Sequence, residues 1–232
     1  MAELIPNAAC LQVGIGSLPS AILGLLSERK NLGVHTGILG ESLYQLISSG
    51  AVDNSQKPTG LQHSVTGSVF GSISFYTEIA ANKQVLLAAP NQTHSLEVLQ
   101  EINKLTTINS AIEVDLAGRV NSETIKTRDG KRRYVGGVGG LPAFVRGALA
   151  AKEGMSIIAL PSLTHYGDFK SGENAKSRIV SSLDVEATLD QTMADIVVTE
   201  YGVAKLRDAS PAKRKERLIA IASPDERERL QQ

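Results

Sequence analysis

The chain has 232 residues, enough to bury a substantial core, and its 24 basic side chains balance 24 acidic ones. The absence of net charge argues against nucleic-acid or membrane-surface binding driven by bulk electrostatics. The single cysteine, Cys10, excludes an internal disulfide, and no run of about 18 apolar residues suggests a membrane helix. Met1–Pro6 also lacks the basic and then apolar pattern of a secretory signal, so the expectation is a soluble protein of the reducing cytoplasm. The four histidines and the cysteine show no zinc-like spacing, and no metal is expected.

Along the chain, Leu11–Ile15 predicts a first strand, and Gly14-Ile15-Gly16-Ser17-Leu18-Pro19 predicts a tight turn into a helix over Ser20–Glu28. Turn amides at a helix start suit a phosphate, although on spacing alone a structural tight turn is the preferred reading. Pro19 in place of the third glycine excludes the dinucleotide fingerprint. A second strand is expected over Gly33–Thr36, and a helix over Glu41–Ser48 with Gly50 as its C-terminal cap. His35, at the strand end, reads as a hydrogen-bonded packing residue more readily than as a base. Glu41 either satisfies a helix N-terminus or activates water as a general base.

Asp53–His63 is polar, contains Pro58 and Gly60, and predicts a loop. A strand over Gln84–Ala88 and a helix over Ser95–Asn103 follow. A strand over Ile112–Leu116 would then place Glu113 and Asp115 on one face, expected to be solvated. Gly136-Gly137-Val138-Gly139-Gly140 is a second glycine-rich turn, ahead of a helix over Phe144–Ala151. Its open backbone could donate to a developing oxyanion or serve only as a flexible connection. Further elements are a strand over Ser156–Ala159, a loop over Gly167–Lys176, a strand over Ile196–Thr199 followed by Glu200, and a helix over Pro211–Ile221. The alternation predicts one α/β domain over residues 1–232, an open, mainly parallel sheet with helices on both faces.

The stretch Leu32-Gly33-Val34-His35-Thr36-Gly37-Ile38-Leu39-Gly40-Glu41 resembles the active-site strand of the acetyl-CoA hydrolase and CoA-transferase family, which includes 4-hydroxybutyrate CoA-transferase. Further matching blocks are Leu11–Gly16, Asn109–Leu116, Gly136–Gly140 with Phe144–Ala148, Ile157–Ser162, Val198–Ala204 and Leu218–Asp225. They span nearly the whole chain but only the C-terminal half of the family. The resemblance therefore implies a protein partner that supplies the N-terminal half, or a homo-oligomer.

The resemblance also implies a coenzyme A thioester as substrate, contacted at Gln12, Val13, Gly14, Ile15, Gly16, Gly136 and Gly140. His165 stands where relatives often carry a lysine that contacts the coenzyme, so the attraction for phosphate is weaker there, and Lys170 or Lys176 are the compensating candidates. Leu141 and Ala143 replace residues that are often polar. The family's nucleophilic glutamate is implied at position 37, which holds a glycine, leaving Glu41 as the candidate catalytic acid or base. Two functions follow as alternatives. One is an acyl-CoA-binding half-enzyme that favours hydrolysis over transfer; the other is a non-catalytic coenzyme-binding or structural subunit.

Overall fold

Cys10–Val13, all four buried, form β1, the strand around which the first part of the chain is laid down. In the computed structural model, which describes residues 2–127, 129–135, 139–164 and 175–232, the chain divides into two units. Unit one comprises Met1–Asn109 and Gly140–Ser156, and unit two Ser110–Gly139 and Ile157–Gln232.

In unit one, β2 (Gly33–Gly40), β3 (Ser64–Phe70), β4 (Val85–Leu87) and β5 (Leu105–Ser110) join β1 in the order β4-β3-β2-β1-β5. Every pairing is parallel, with Cys10 opposite both Gly33 and Leu105, and His35 opposite Val65. Successive residues of a strand face opposite sides. Cys10 thus packs into a cluster with Leu99, Ile102, Leu105, Phe144, Ala148 and Ala151, where α5 (Leu96–Leu99) meets α6 (Leu141–Ala150). Burial raises the Cys10 thiol to about 11, which makes it an inert core residue, as its sequence context suggests.

Between the strands run α1 (Ser17–Leu23), α2 (Glu41–Ser48), α3 (Ile73–Ala81) and α4 (Pro90–Thr93). α2 buries Leu43, Leu46 and Ile47 on one stripe, and Gly50 ends it with a φ of 82°, a conformation that favours glycine. The expected helix over Ser20–Glu28 begins earlier and lasts only to Leu23 before a 3-10 turn, so the dipole behind the first glycine turn is short. The expected helix over Ser95–Asn103 is likewise reduced to the single turn α5.

The segment 53–63 is a loop, largely exposed but anchored by two buried polar side chains. Asn54 and Lys57 are buried: Asn54 accepts from the Val34 N–H at 3.0 Å, and Lys57 donates to the carbonyls of Val34 and His63 at 2.8 and 2.6 Å. Its side chains thus satisfy backbone groups of β2.

In unit two, β6 (Glu113–Asp115) pairs with β7 (Val120–Asn121) and, in parallel, with β13 (Ile179–Val180). β8 (Thr124–Lys126) and β9 (Arg132–Tyr134) form a hairpin, and β11 (Leu163–Thr164) pairs with β12 (Lys176–Ser177). β10 (Met155–Ala159) runs parallel to β14 (Ile196–Thr199), which pairs antiparallel with β15 (Gly202–Lys205). α7 (Pro211–Ala220) and α8 (Pro224–Gln231) complete the unit.

The expected solvated face of Glu113 and Asp115 is corrected here. Asp115 is fully buried, accepts from the backbone N–H groups of Ala117 and Arg119, and is paired with the Arg119 guanidinium at 2.6 Å. β6 lies in a small three-stranded sheet, where its acidic side chain closes a turn.

Candidate functional site

Gly37 sits in the middle of β2, with His35 on its own face of the strand and Ile38 on the other. This alternation sorts the expected site residues into two groups.

On the Ile38 face, Val13, Gly14, Ile15, Gly16, Gly40, Glu41 and Phe70 help to line a cavity of about 290 Å³. Four of the residues expected at the coenzyme therefore share one wall with the candidate acid. Gly16, at φ 146°, holds a conformation that L side chains rarely adopt and turns the chain into α1. Gly14 is constrained differently: a Cβ there would lie 2.5 Å from the Asn109 Oδ1. Asn109 and Gln12 exchange two buried hydrogen bonds, at 3.1 and 2.9 Å, so the Gln12 amide braces the turn from behind and does not line the cavity.

Glu41 accepts from the Ser72 N–H at 2.7 Å. Those bonds hold its exposed carboxyl below the ordinary carboxylate range, so it tethers the start of α3 and is a weaker base than a free glutamate. Glu200, the other candidate acid, receives both the N–H and the hydroxyl of Ser162, at 2.8 and 2.6 Å.

On the opposite face of β2, Gly37 and Gly140 converge on His94, a residue with no site signature in the sequence. A Cβ on Gly37 would lie 3.0 Å from His94 Nε2 and 3.2 Å from the Phe144 ring; one on Gly140 would approach His94 more closely still. The imidazole is fixed at its other end, with Nδ1 2.6 Å from the Thr93 hydroxyl, and the ring centroid lies 4.7 Å from that of Phe144. Burial holds its pKa below the usual histidine value.

The turn that carries it is tied to β2 by His35, whose Nε2 lies 3.2 Å from the Thr93 carbonyl oxygen. His35 is fully buried, and burial, helped by the charge of Lys57, lowers it to about 4. It is a neutral packing residue at pH 7, in line with the sequence reading. Gly136 and His165, expected at the coenzyme, lie outside the described residues, as does Lys170. Lys176 is exposed in unit two.

Residues 71–232 match the model of the acetyl-CoA hydrolase/transferase C-terminal domain. The chain belongs to this family. It is 35% identical to the 4-hydroxybutyrate coenzyme A transferase of Clostridium kluyveri, over 99% of this chain and 51% of that protein. It is 31% identical to the acetyl-CoA hydrolase of Candida albicans, over 99% and 41%. Among solved structures it matches RipA from Yersinia pestis with a TM-score of 0.88 and 32% identity, covering 99% of this chain and 50% of that one. The chain spans about half the length of the family members it matches, and its mainly parallel α/β architecture is that of its CoA-transferase-like neighbours.

Proposed function

We propose that this chain binds acyl-CoA thioesters as one half of a CoA-transferase or acyl-CoA hydrolase assembly, and that it hydrolyses the thioester in preference to transferring the acyl group. The observation that carries this reading is Gly37. Where the family resemblance implies a nucleophilic glutamate, the chain offers bare backbone, so no carboxylate at that position can accept an acyl group and pass it on. Water is then the nucleophile.

The glycine surfaces support the substrate class. Gly14, Ile15 and Gly16 offer backbone to the coenzyme, Glu41 shapes the same wall, and Gly140 presents its backbone on the other face of β2. The family resemblance assigns Gly136 and His165 to the same ligand. A cavity of about 290 Å³ lies at the small end of ligand sites. It accommodates a portion of coenzyme A, and the remaining surface is assigned to a partner that resembles the N-terminal half of the family.

Calorimetric titration with coenzyme A and acetyl-CoA, alone and with such a partner, tests the reading. Saturable binding followed by release of free thiol is the expected result. An absence of binding under both conditions would overturn it.

A further inference from the structure

On the thioester reading above, on which this inference rests, the cavity beside the first glycine turn meets some part of an acyl-CoA molecule, and its walls restrict which part. The five elements around it, β1, α1, β2, α2 and β3, contain no lysine or arginine. Their one histidine, His35, is buried on the other face of β2. Among the described residues that line the cavity, Glu41 is the only ionisable one.

The Glu41 carboxylate is held in place. It accepts from the Ser72 N–H at 2.7 Å, and a Cβ on Gly71 would lie 2.8 Å from its Oε1 and 3.0 Å from its Cγ, so the side chain lies directly over Gly71. The bonds from Ser72 also keep it ionised. α2 starts at this wall with no side-chain cap on Gly40, and Glu41 in its first turn already meets the positive end of the helix, leaving little of that field for an anion from outside.

The rest of the lining is uncharged and largely apolar. Val13, Leu23 and Leu43 are buried, Ile38 is half-buried, and Ile15 and Phe70 stand 62% and 64% exposed. Two large apolar side chains left to water at the cavity wall are stabilised by an aliphatic chain that covers them. A phosphate in the same place would give up water for one fixed carboxylate and no cation.

We propose that this cavity holds a neutral, largely aliphatic segment of the thioester and that Glu41 is its charge filter, turning away the phosphates of the coenzyme and any acyl chain that ends in a carboxylate. The acyl chain and the pantetheine arm both have this neutral chemistry. Like charges about 4 Å apart cost about fivefold in affinity even in bulk water, and more where a ligand excludes water.

Methyl NMR of Ile38 and Leu43, with calorimetry for affinity, tests this on the full chain. S-butyrylpantetheine, which has no phosphate, should shift both signals, and adenosine 3′,5′-bisphosphate should shift neither; a shift of both signals by the bisphosphate would overturn the proposal. If pantetheine alone moves them equally, the arm is the segment that enters, and if only its butyryl thioester does so, the acyl chain is.

The charged counterpart of that segment should then bind at least about fivefold more weakly than the neutral one at low salt, with the gap narrowing as salt is added. The pairs are S-succinylpantetheine against S-butyrylpantetheine for the acyl chain and pantothenate against its neutral alcohol, panthenol, for the arm. In Glu41→Gln, which keeps an acceptor for the Ser72 N–H, the gap should close to within about twofold. An unchanged gap would remove Glu41 as the filter. Phe70→Ser, at a side chain too exposed to matter to the core, should weaken S-butyrylpantetheine about fivefold or more, and an unchanged affinity would count against an aliphatic occupant. Failure of butyryl-CoA to bind, alone and with the partner half, would overturn the thioester reading itself, whereas butyryl-CoA that binds without moving Ile38 and Leu43 would overturn this proposal alone.

Discussion

His94 Nε2 lies 3.0 Å from the point where a Cβ on Gly37 would stand, so the imidazole occupies the volume that any longer side chain at position 37 would enter. Real Cβ contacts are rarely this tight, and the Phe144 ring closes the space from another side at 3.2 Å. Gly37→Glu alone should therefore destabilise the fold by about 1–3 kcal/mol through overpacking. Gly37→Glu combined with His94→Gly should recover most of that loss, a coupling measurable by urea denaturation of the two single variants and the double variant. Additive effects would show that His94 yields freely and that the two residues do not compete for space.

His35 makes the fold sensitive to acid. Burial, and then the Lys57 charge, holds its folded pKa at about 4, whereas in the unfolded chain it titrates at the ordinary histidine value of 6.5. Between these values the unfolded state takes up a proton that the folded state refuses. The stability contributed by the neutral ring is complete above pH 6.5 and is lost as pH falls towards 4, at about 1.4 kcal/mol per pH unit and about 3 kcal/mol in all. Urea midpoints measured at pH 7 and pH 4.5 should differ less in His35→Gln than in wild type. Equal losses in the two proteins would place the acid sensitivity elsewhere.

The parts that depend on local pattern were readable in the sequence. Ile196–Thr199 forms a strand with the expected bounds, Gly50 closes α2, and the first glycine turn and Glu41 share one cavity. β3 escaped notice because Ser64–Phe70 interrupts its apolar residues with serines and Gly67, whose lack of a Cβ is needed where the chain approaches the Gly37 carbonyl. β5 was hidden by Thr106 and Thr107, β-branched and fully buried but polar in composition. His94 had no local signal at all. Its position arises only when parallel pairing of β2, β3 and β4 carries the turn after β4 back over Gly37.

Gly14 and Asn109 supply a test of the first turn. A methyl group at position 14 would meet the Asn109 Oδ1 at 2.5 Å, and that oxygen accepts from Gln12 in a buried pair. Gly14→Ala should break one or both amide bonds and cost about 2–4 kcal/mol, since buried polar atoms that lose a partner carry their full desolvation penalty. Asn109→Ala should remove the clash but leave the Gln12 amide unpaired, so the double variant should be no less stable than Gly14→Ala alone. Chemical denaturation of the three variants decides this, and an unchanged midpoint in Gly14→Ala would count against the packing argument.

Lys57 connects the loop to the titration of His35. Its ammonium is buried against two carbonyl oxygens, those of Val34 and His63, and burial lowers its pKa. Lys57→Met keeps the aliphatic stem that packs on Gly33 but removes the charge and leaves both carbonyls without that donor. Loss of two bonds to a charged donor is partly offset by release from burying a cation, so the net destabilisation should be about 1–3 kcal/mol at pH 7. The same charge helps to keep His35 neutral, so its removal should raise the His35 pKa, a change readable in the ring-proton chemical shifts during an acid titration. The two effects have opposite consequences for acid stability: Lys57→Met should start lower at pH 7 but lose less between pH 6.5 and 4. A His35 titration that does not move in Lys57→Met would mean that burial alone sets its pKa.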